Sequence, residues 1–418
     1  MKTIAGHDVK IFTDNIEDTA LEQIEKLLAI DVFADKKIRI MPDVHAGAGC
    51  VIGFTGNLGD KVIPNIVGVD IGCGMRVVNL GKNGPVDFHA FNEHILANIP
   101  SGMDVREAKD GFKQLSGAEL DIYQEAKKLV AEMRCYRELK NAPRINKSIG
   151  SLGGGNHFIE LDLDDAGNLY LVVHTGSRNL GKQVADIYQH RAIKHLTDGA
   201  DELEENIKKL IEDYKAAGRR AEIETTIKKL RSRFRNKMPT LPPDLCYLER
   251  AGREDYLHDM RLAQRWAVLN RRLIVMLLLK FFPEASVVEE FESIHNYISD
   301  DNTIRKGAIS AAEGERCIIP LNMRDGSLIC TGKGNADWNC SAPHGAGRVL
   351  SRAQAYARIS MDDFRDSMKG IYSESVNDFT RDESPMVYKP AEEIIANIGP
   401  TVSIDAMIRP VFNFKASR

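Results

Sequence analysis

The chain contains an aspartate and a cysteine three residues apart in the glycine-rich segment VDIGCGM, residues 69–75. The carboxylate of Asp70 and the thiolate of Cys73 are both competent ligands for a divalent cation. The glycines around them allow the loop to turn sharply. The alternative interpretation is an ordinary glycine turn with an inert buried cysteine, and the segment alone favours it.

A second glycine-rich segment, GGGNH, ends in a histidine. The three glycines at residues 153–155 remove side-chain bulk, so backbone N–H groups can approach an anion closely. Asn156 and His157 follow directly, which makes both of them candidate site residues. The same pattern also fits a hairpin-like turn with a structural histidine.

Another histidine lies where a predicted strand, residues 169–173, ends in the segment HTGSR. Polar clusters at strand ends commonly carry function, so His174 and Arg178 are candidates as well. The segment also approaches the P-loop pattern GxxxxGK. Gln183 replaces the hydroxyl residue that would hold magnesium there, and we therefore do not expect a phosphate loop of that type.

Two more histidines lie near cationic residues. His295 precedes the step RKGA, whose Lys306 suits phosphate binding. His344 stands in HGAGR, and if a helix begins there, Arg348 and Arg352 share one face. An imidazole beside guanidinium groups is a poor metal ligand but a reasonable nucleophile towards phosphorus. A core histidine, a glycine-rich helix entry and solvated basic turns are the alternatives.

The bulk properties narrow the class of protein that can use these residues. The 418 residues are 43% hydrophobic and carry a formal charge of −4, which excludes a strongly basic fold that coats nucleic acid but not a local basic groove. The seven cysteines are scattered without a C-x-x-C pair, and the N-terminus lacks a signal peptide. The apolar run at residues 273–279 is too short to span a membrane. We expect a reduced, cytoplasmic protein with no membrane segment.

The elements that must position these clusters follow an α+β pattern. Short β-branched runs and glycine turns in residues 38–78 and 148–182 indicate strands that feed loops. The apolar stripe of residues 256–282 predicts a core helix, and residues 203–237 predict a helical hairpin with a basic second arm. We expect one catalytic unit, residues 1–418, with residues 203–237 as an insertion.

Taken together, seven segments resemble the RtcB family of RNA-splicing ligases over essentially the whole chain. They are MPDVHAGAG, VGVDIGCGM, LGGGNHFIE, HTGSR, HNY, RKGA and HGAGR, in the order of the family. The resemblance implies an RtcB-type α+β fold in which layered β-sheets and surrounding helices enclose a deep active site. It also implies GTP as co-substrate and two manganese ions, where ligand softness alone would suggest zinc.

The resemblance also implies roles for particular residues. Cys73 would bridge the two metals, with Asp70 and His174 on one ion and His157 and His295 on the other. His344 would be the nucleophile that accepts GMP, and Asp43 would orient its ring. The residues implied in nucleotide binding are Asn156, Glu160, Asn322, Gly345, Gly347, Tyr388 and Lys415, and those implied in phosphate or RNA binding are Arg178, Lys306, Arg348 and Arg352.

The reaction implied by the family joins an RNA 3′-phosphate or 2′,3′-cyclic phosphate end to a 5′-hydroxyl end. It proceeds through histidine-GMP and RNA-3′-pp-guanosine, in RNA repair or tRNA splicing, and some family members use an activator called archease. The segment Pro-Leu-Asn-Met-Arg at residues 320–324 departs from the family's Pro-Gly-Ser-Met-Gly. A serine that helps bind guanine is therefore replaced by Asn322.

Two other functions remain open on the sequence. One is a dinuclear-metal phosphoesterase or cyclic phosphodiesterase, which would not require His344 and its arginines. The other is a catalytically silent RNA-binding or regulatory protein, against which the filled metal and nucleophile positions argue. A ligase with a lysine nucleophile is disfavoured because the chain has no K-x-D-G motif.

Overall fold

The computed structural model of the chain describes residues 1–106, 112, 115–197, 200–234 and 239–416. The strands are β1 (Lys2–Thr3), β2 (Val9–Ile11), β3 (Ile38–His45), β4 (Ile52–Gly56), β5 (Lys61–Val62), β6 (Gly74–Lys82), β7 (Phe158–Leu163), β8 (Asn168–Thr175), β9 (Leu248–Glu249), β10 (Glu289–Ile294), β11 (Tyr297–Ile298), β12 (Ile304–Lys306), β13 (Ala308–Ser310), β14 (Arg316–Asn322), β15 (Gly326–Gly332), β16 (Ser341–Pro343) and β17 (Val402–Phe414). The helices are α1 (Asp18–Leu28), α2 (Phe88–Asn98), α3 (Ala118–Ala131), α4 (Ala142–Lys147), α5 (Arg178–His195), α6 (Ala200–Ala216), α7 (Ile223–Phe234), α8 (Arg250–Leu279), α9 (Arg352–Arg358), α10 (Met361–Ser367) and α11 (Ala391–Ile398). The mixed α+β class expected from the sequence is confirmed.

The larger sheet has seven strands in the order β10-β6-β8-β7-β17-β15-β14. Its neighbouring strands run antiparallel, with Met75 opposite His174, Phe158 also opposite His174, and Ile294 opposite Gly74. The starts of β6 and β7 and the ends of β8 and β10 therefore meet at one edge. Polar residues that flank these four strands are brought together although they are far apart in sequence.

The second sheet has six strands in the order β1-β2-β3-β4-β12-β11, and two shorter ladders pair β13 with β16 and β5 with β9. The register between β3 and β4 shifts between Ile40 and His45, so β3 bends close to its end. Asp43 lies in this irregular part. Strand β16 contacts β3 and leads directly into His344. The second sheet thus contributes the other half of the candidate site.

Helix α8 is the core helix that the apolar stripe predicts, and it begins six residues earlier than expected, at Arg250. It packs against α3 and α5 and buries residues on all sides, including Trp266 and Leu273. Asn270 and Arg271 are fully buried in the same helix. Buried side chains as polar as these require hydrogen-bond partners, so we expect α8 to bind other parts of the chain through polar contacts as well as through apolar packing.

Helices α6 and α7 contact each other in the segment predicted to be a helical hairpin. The chain turns between them at residues 217–222. Four apolar and aromatic side chains of α6 at helical spacing are half-buried, namely Ile207, Leu210, Ile211 and Tyr214. Of the expected range 203–237, residues 235–237 lie outside the described part. That this hairpin is an insertion, and that residues 1–418 form one catalytic unit, remain predictions.

No helix among the described residues is both long and apolar enough to cross a bilayer.

A buried carboxylate ties α8 to its neighbours. Asp259 accepts hydrogen bonds from the backbone N–H groups of Arg134 (2.8 Å) and Cys135 (2.9 Å) and from the Tyr188 hydroxyl (2.7 Å). Burial alone would raise the pKa of Asp259, but the contacts with His258, Tyr188 and the two N–H groups lower it below the ordinary value. The ionised form is therefore the form that stabilises the fold.

We predict that Asp259→Ala lowers the free energy of unfolding by roughly 3 kcal/mol at neutral pH, because it leaves buried donors without acceptors. The stabilisation by a carboxylate with a lowered folded-state pKa is present above its unfolded pKa near 3.9 and is lost as the pH falls through the folded value. Urea unfolding at pH 7 and at a pH below the lowered folded-state pKa of Asp259 should show that the gap between wild type and variant closes at the lower pH. Asp255→Asn, which removes a half-exposed acid one turn earlier, should cost less than about 1 kcal/mol.

Candidate active site

Five possible metal ligands converge at the shared edge of the seven-stranded sheet. Cys73 Sγ lies 3.5 Å from His157 Nε2 and 3.4 Å from His174 Nε2. His157 Nε2 also lies 3.1 Å from Asp70 Oδ2. The ligand atoms form two trios, Asp70–Cys73–His157 and Cys73–His174–His295, and within each trio all atoms lie within 4.8 Å of one another.

Backbone carbonyls fix the orientation of two of these imidazoles. His157 Nδ1–H donates to the Leu152 carbonyl at 2.9 Å, and His174 Nδ1–H donates to the Asn156 carbonyl at 3.2 Å. Each ring therefore directs the lone pair of Nε2 towards the sulfur of Cys73. The Nε2 lone pairs and the sulfur converge on one region, and this arrangement fits a cation held in the middle once the thiol has lost its proton.

Burial supports the same interpretation. It lowers the pKa of His174 and of His295 well below the ordinary value, and neighbouring imidazoles lower both further, so the rings stay neutral. His295 Nδ1 is buried and has no hydrogen-bond partner among the described residues. Burial also raises the pKa of Cys73, so its thiolate requires a nearby positive charge. Neutral imidazoles, a thiol and a carboxylate are a donor set that can hold divalent ions.

The grouping of the donors differs from the one that the family resemblance implied. That expectation joined Asp70 with His174 and His157 with His295. The structure instead groups Asp70 with His157 and His174 with His295, and Cys73 belongs to both trios. The reason is the sheet register: His174 ends β8 directly beside β6, and His295 follows β10, which pairs with β6 from the other side.

Helix α8 holds the loops that carry the donors. The Arg271 guanidinium donates from Nη1 to the carbonyls of Gly72 and Thr175, both at 2.8 Å. Asn270 accepts from the Gly150 N–H at 2.7 Å and donates to the carbonyls of Ser151 and Gly176. Two adjacent side chains thus join the loops that precede β6 and β7 to the end of β8.

Gly72 allows the close approach between its loop and the helix. Its φ is +69°, and a Cβ at this position would lie 2.7 Å from the Gln264 Cα of α8. A larger residue would push the loop with Asp70 and Cys73 away from the helix. The glycine pattern found in the sequence therefore reflects packing at this point.

His344 is oriented by a buried carboxylate. Its Nδ1 lies 2.7 Å from Asp43 Oδ2, and its backbone N–H donates to the same oxygen at 3.1 Å. With Nδ1–H donated to Asp43, the lone pair of Nε2 is free to act as a nucleophile. The pair is possible because Gly347, at φ +78°, brings its loop against the backbone oxygen of Asp43 where a Cβ would collide.

The two halves enclose a cavity of about 320 Å³. The His295 and His344 ring centroids are 4.8 Å apart across it. Most of the predicted site residues line this space: Asp70, Cys73, Asn156, Glu160, His174, His295, Asn322, His344, Gly345, Gly347, Arg348, Arg352, Tyr388 and Lys415. Asp43 and His157 lie behind this lining, in contact with His344 and with Cys73.

Two predicted phosphate-binding cations lie elsewhere. Lys306 is buried, and its ammonium donates to the carbonyls of Ala48 and Asn65. Arg178 donates to the Ser151 hydroxyl and to the Gly102 carbonyl, behind the loop that carries His157. Neither is part of the cavity lining. In this conformation both brace loops instead of facing the cavity.

Asn322 faces the cavity, but its polar atoms close a turn. Its Oδ1 accepts from the N–H groups of Arg324 and Asp325, and its Nδ2 donates to Asp325 Oδ2 at 2.8 Å. This turn joins β14 to β15. The departure from the family's serine thus replaces a small hydroxyl with an amide that is committed to local structure.

Sequence reasoning missed Glu383, the carboxylate that organises the cationic side of the cavity. Glu383 accepts from the Tyr388 hydroxyl at 2.6 Å and pairs with Arg348 at 3.2 Å. Arg352 and Lys415 lie 3.6 Å from its two oxygens. Burial would raise the pKa of Glu383, but Lys415 and Arg348 lower it below the ordinary value. The segment RDES offered no signal beyond two adjacent acids.

The helix near His344 also begins later than the sequence suggested. Helix α9 starts at Arg352 with a capping box from Ser351 and Gln354, so Arg348 precedes the helix. Arg348 and Arg352 therefore do not share a helical face. They converge because both reach Glu383 and Asp382. His45 and Asn296 also line the cavity, and both were within the quoted motifs without an assigned role.

A free imidazole beside possible metal ligands and several cationic side chains is typical of enzymes that act at phosphorus. Residues 23–416 match the family described as tRNA-splicing ligase RtcB, and the chain belongs to that family, which confirms the resemblance of the motifs. The chain is 29% identical over 438 residues to the RNA-splicing ligase RtcB of Escherichia coli K12, covering 98% of this chain and 97% of that protein. It is 24% identical to the tRNA-splicing ligases RtcB of Aeropyrum pernix (89% and 86% covered) and Archaeoglobus fulgidus (85% and 82%).

We predict that Glu383→Gln lowers the free energy of unfolding by roughly 2–4 kcal/mol, because three cations lose their only shared buried carboxylate partner in the described cavity. Added pyrophosphate, a simple anion, should restore more stability to the variant than to wild type. Denaturant unfolding with and without pyrophosphate measures both effects. Glu290→Gln, which breaks a half-exposed pair with Arg76, serves as control and should change stability by less than about 1 kcal/mol.

Proposed function

We propose that this RNA ligase of the RtcB family joins RNA ends with GTP and manganese through a GMP adduct on His344. The observation that supports the proposal best is the 4.8 Å separation between the His344 and His295 rings, with Asp43 on the far side of His344. It sets a nucleophile with a free Nε2 beside the metal donors. A phosphoesterase would need the donors alone.

In the first step the lone pair of His344 Nε2 attacks the α-phosphorus of GTP. The Nε2–P bond forms, the P–O bond to pyrophosphate breaks, and pyrophosphate leaves with that electron pair. Asp43 accepts the Nδ1–H hydrogen bond throughout, so the positive charge that develops on the imidazole is stabilised. Arg348, Arg352 and Lys415 line the cavity where the phosphate charge would lie.

In the second step an oxygen of the RNA 3′-phosphate attacks the phosphorus of the adduct, and the Nε2–P bond breaks. The product, RNA-3′-pp-guanosine, carries a good leaving group. A 5′-hydroxyl then attacks the RNA phosphorus, GMP leaves, and the hydroxyl proton passes to solvent. A 2′,3′-cyclic phosphate would first be opened to the 3′-phosphate.

The five donors would hold two manganese ions, with Cys73 shared between the trios. When bound, such ions supply positive charge that neutralises phosphate oxygens in the cavity. Guanine would be read by Glu160, Tyr388 and Lys415, with Asn156 at the nucleotide phosphate. Activation by an archease-like protein, a cytoplasmic location and the choice between RNA repair and tRNA splicing stay predictions.

We predict that incubation with GTP labelled at the α-phosphate, together with manganese, yields an acid-labile protein-GMP adduct that His344→Ala abolishes. His45→Ala, which removes another cavity imidazole, should retain the adduct at a reduced level. Autoradiography after gel electrophoresis measures it, and RNA halves with defined ends then test joining with GTP against ATP. Hydrolysis of the RNA phosphate without any adduct would replace the ligase proposal with the phosphoesterase.

We further predict that Cys73→Ser weakens the binding of both manganese ions by at least about tenfold, since its sulfur belongs to both donor trios. Equilibrium dialysis followed by metal analysis gives stoichiometry and affinity without any turnover. Cys340→Ser, at a half-buried cysteine outside the trios, is the matched control and should bind as wild type does. Two ions bound with unchanged affinity in Cys73→Ser would contradict a shared thiolate.

A further inference from the structure

Two exposed aromatic side chains stand beside the arginine at the edge of the cavity. Phe379 is 66% exposed and Tyr356 is 41% exposed. Single exposed apolar residues are ordinary on protein surfaces. These two are joined to each other, because the Tyr356 hydroxyl donates to the Phe379 carbonyl at 3.2 Å. We call Tyr356 and Phe379 the aromatic pair.

The aromatic pair is connected to the cavity through one carboxylate. Asp382 accepts from Arg352 at 2.8 Å and from the Tyr356 hydroxyl at 3.1 Å. Arg352 lines the cavity, yet its side chain is 60% exposed, so it extends from the cavity towards solvent. Tyr356 lies one turn further along α9. The surface therefore runs continuously from the catalytic cavity to the aromatic pair.

Both aromatic residues are held in place. The Arg381 guanidinium lies over the Tyr356 ring, 5.4 Å from its centroid. The single hydroxyl proton of Tyr356 is shared between two acceptors within hydrogen-bond distance, the Phe379 carbonyl and Asp382. The Phe379 N–H donates to Asn377 Oδ1 at 2.9 Å, so its backbone is anchored on both sides. A rigid ring loses little conformational entropy when a flat partner stacks on it. The Tyr356 ring is held in this way, and Phe379 is anchored through its backbone.

The charged groups beside the aromatic pair are paired with one another. Arg352 and Arg381 flank Tyr356, and the buried Asp382 is neutralised by Arg352. The adjacent acid, Asp378, lies 3.6 Å from Arg381 and is paired with it. Arginine beside exposed aromatic rings is a combination that binds unpaired nucleotides, because every base has a flat face.

We propose that Tyr356 and Phe379 form a stacking platform for unpaired RNA nucleotides next to the end that occupies the cavity. The inference rests on the proposed function, since it takes RNA as the substrate of this site. Stacking is tolerant of sequence, so the platform would select for single-stranded ends and not for particular bases.

The test measures binding of the full-length protein to a short single-stranded RNA with a 3′-phosphate, by fluorescence anisotropy. Phe379→Ala and Tyr356→Ala should each weaken binding at least about fivefold. Tyr356→Phe keeps the ring and should bind as wild type does. Tyr136→Ala removes an aromatic residue of similar exposure, 43%, outside this surface and should have no effect.

A second measurement pairs each protein with RNAs that carry one abasic nucleotide near the 3′ end. Wild type should bind one of these abasic RNAs as weakly as Phe379→Ala binds the intact RNA. The affinity of Phe379→Ala should be the same for that abasic RNA as for the intact RNA. The proposal would be wrong if the abasic nucleotide reduced the RNA affinity of wild type and variant equally. It would also be wrong if both alanine variants bound intact RNA as wild type does. The histidine-GMP assay contains no RNA, so a missing adduct counts against the proposed function alone. The RNA-binding measurements test the stacking platform separately.

Discussion

The site depends on the buried polar contacts that α8 makes with the loops around it. The loops before β6 and β7 and the end of β8 expose carbonyl and N–H groups that water cannot reach, and an unsatisfied buried group costs roughly 1–3 kcal/mol. Asn270 and Arg271 satisfy several of them at once. Because one rigid helix supplies both side chains, the donors on those loops are fixed relative to one another. The half of the cavity that carries the possible metal ligands is therefore a product of core packing.

The other half is arranged by two buried carboxylates. Asp43 fixes the ring of His344 from behind, and Glu383 gathers Arg348, Arg352, Lys415 and the Tyr388 hydroxyl. Both acids are almost fully buried. A charge at such a position is tolerated only with close partners, so each acid imposes geometry on the groups around it. His344 and the cations that line the cavity thus have independent supports.

The sequence predicted which residues belong to this site better than it predicted how they are arranged. Dispersed glycine-rich motifs identified Cys73, His157, His174, His295 and His344, because such residue types at strand ends carry a chemical signal. The partition of the donors into trios depends on the register of β6, β8 and β10, which no local pattern encodes. Lys306 carries a charge suited to phosphate, yet tertiary packing directs it to backbone carbonyls. Glu383 was one acid among many, and only its burial among cations distinguishes it.

The position of α8 in the chain has a consequence for synthesis. Asp70, Cys73, His157 and His174 are all translated before Asn270 and Arg271, the side chains that hold their loops. A nascent polypeptide that ends before α8 therefore contains four of the five possible metal ligands but lacks the helix that holds their loops in position. The spacing of these side chains can therefore be set only after the ribosome has released α8.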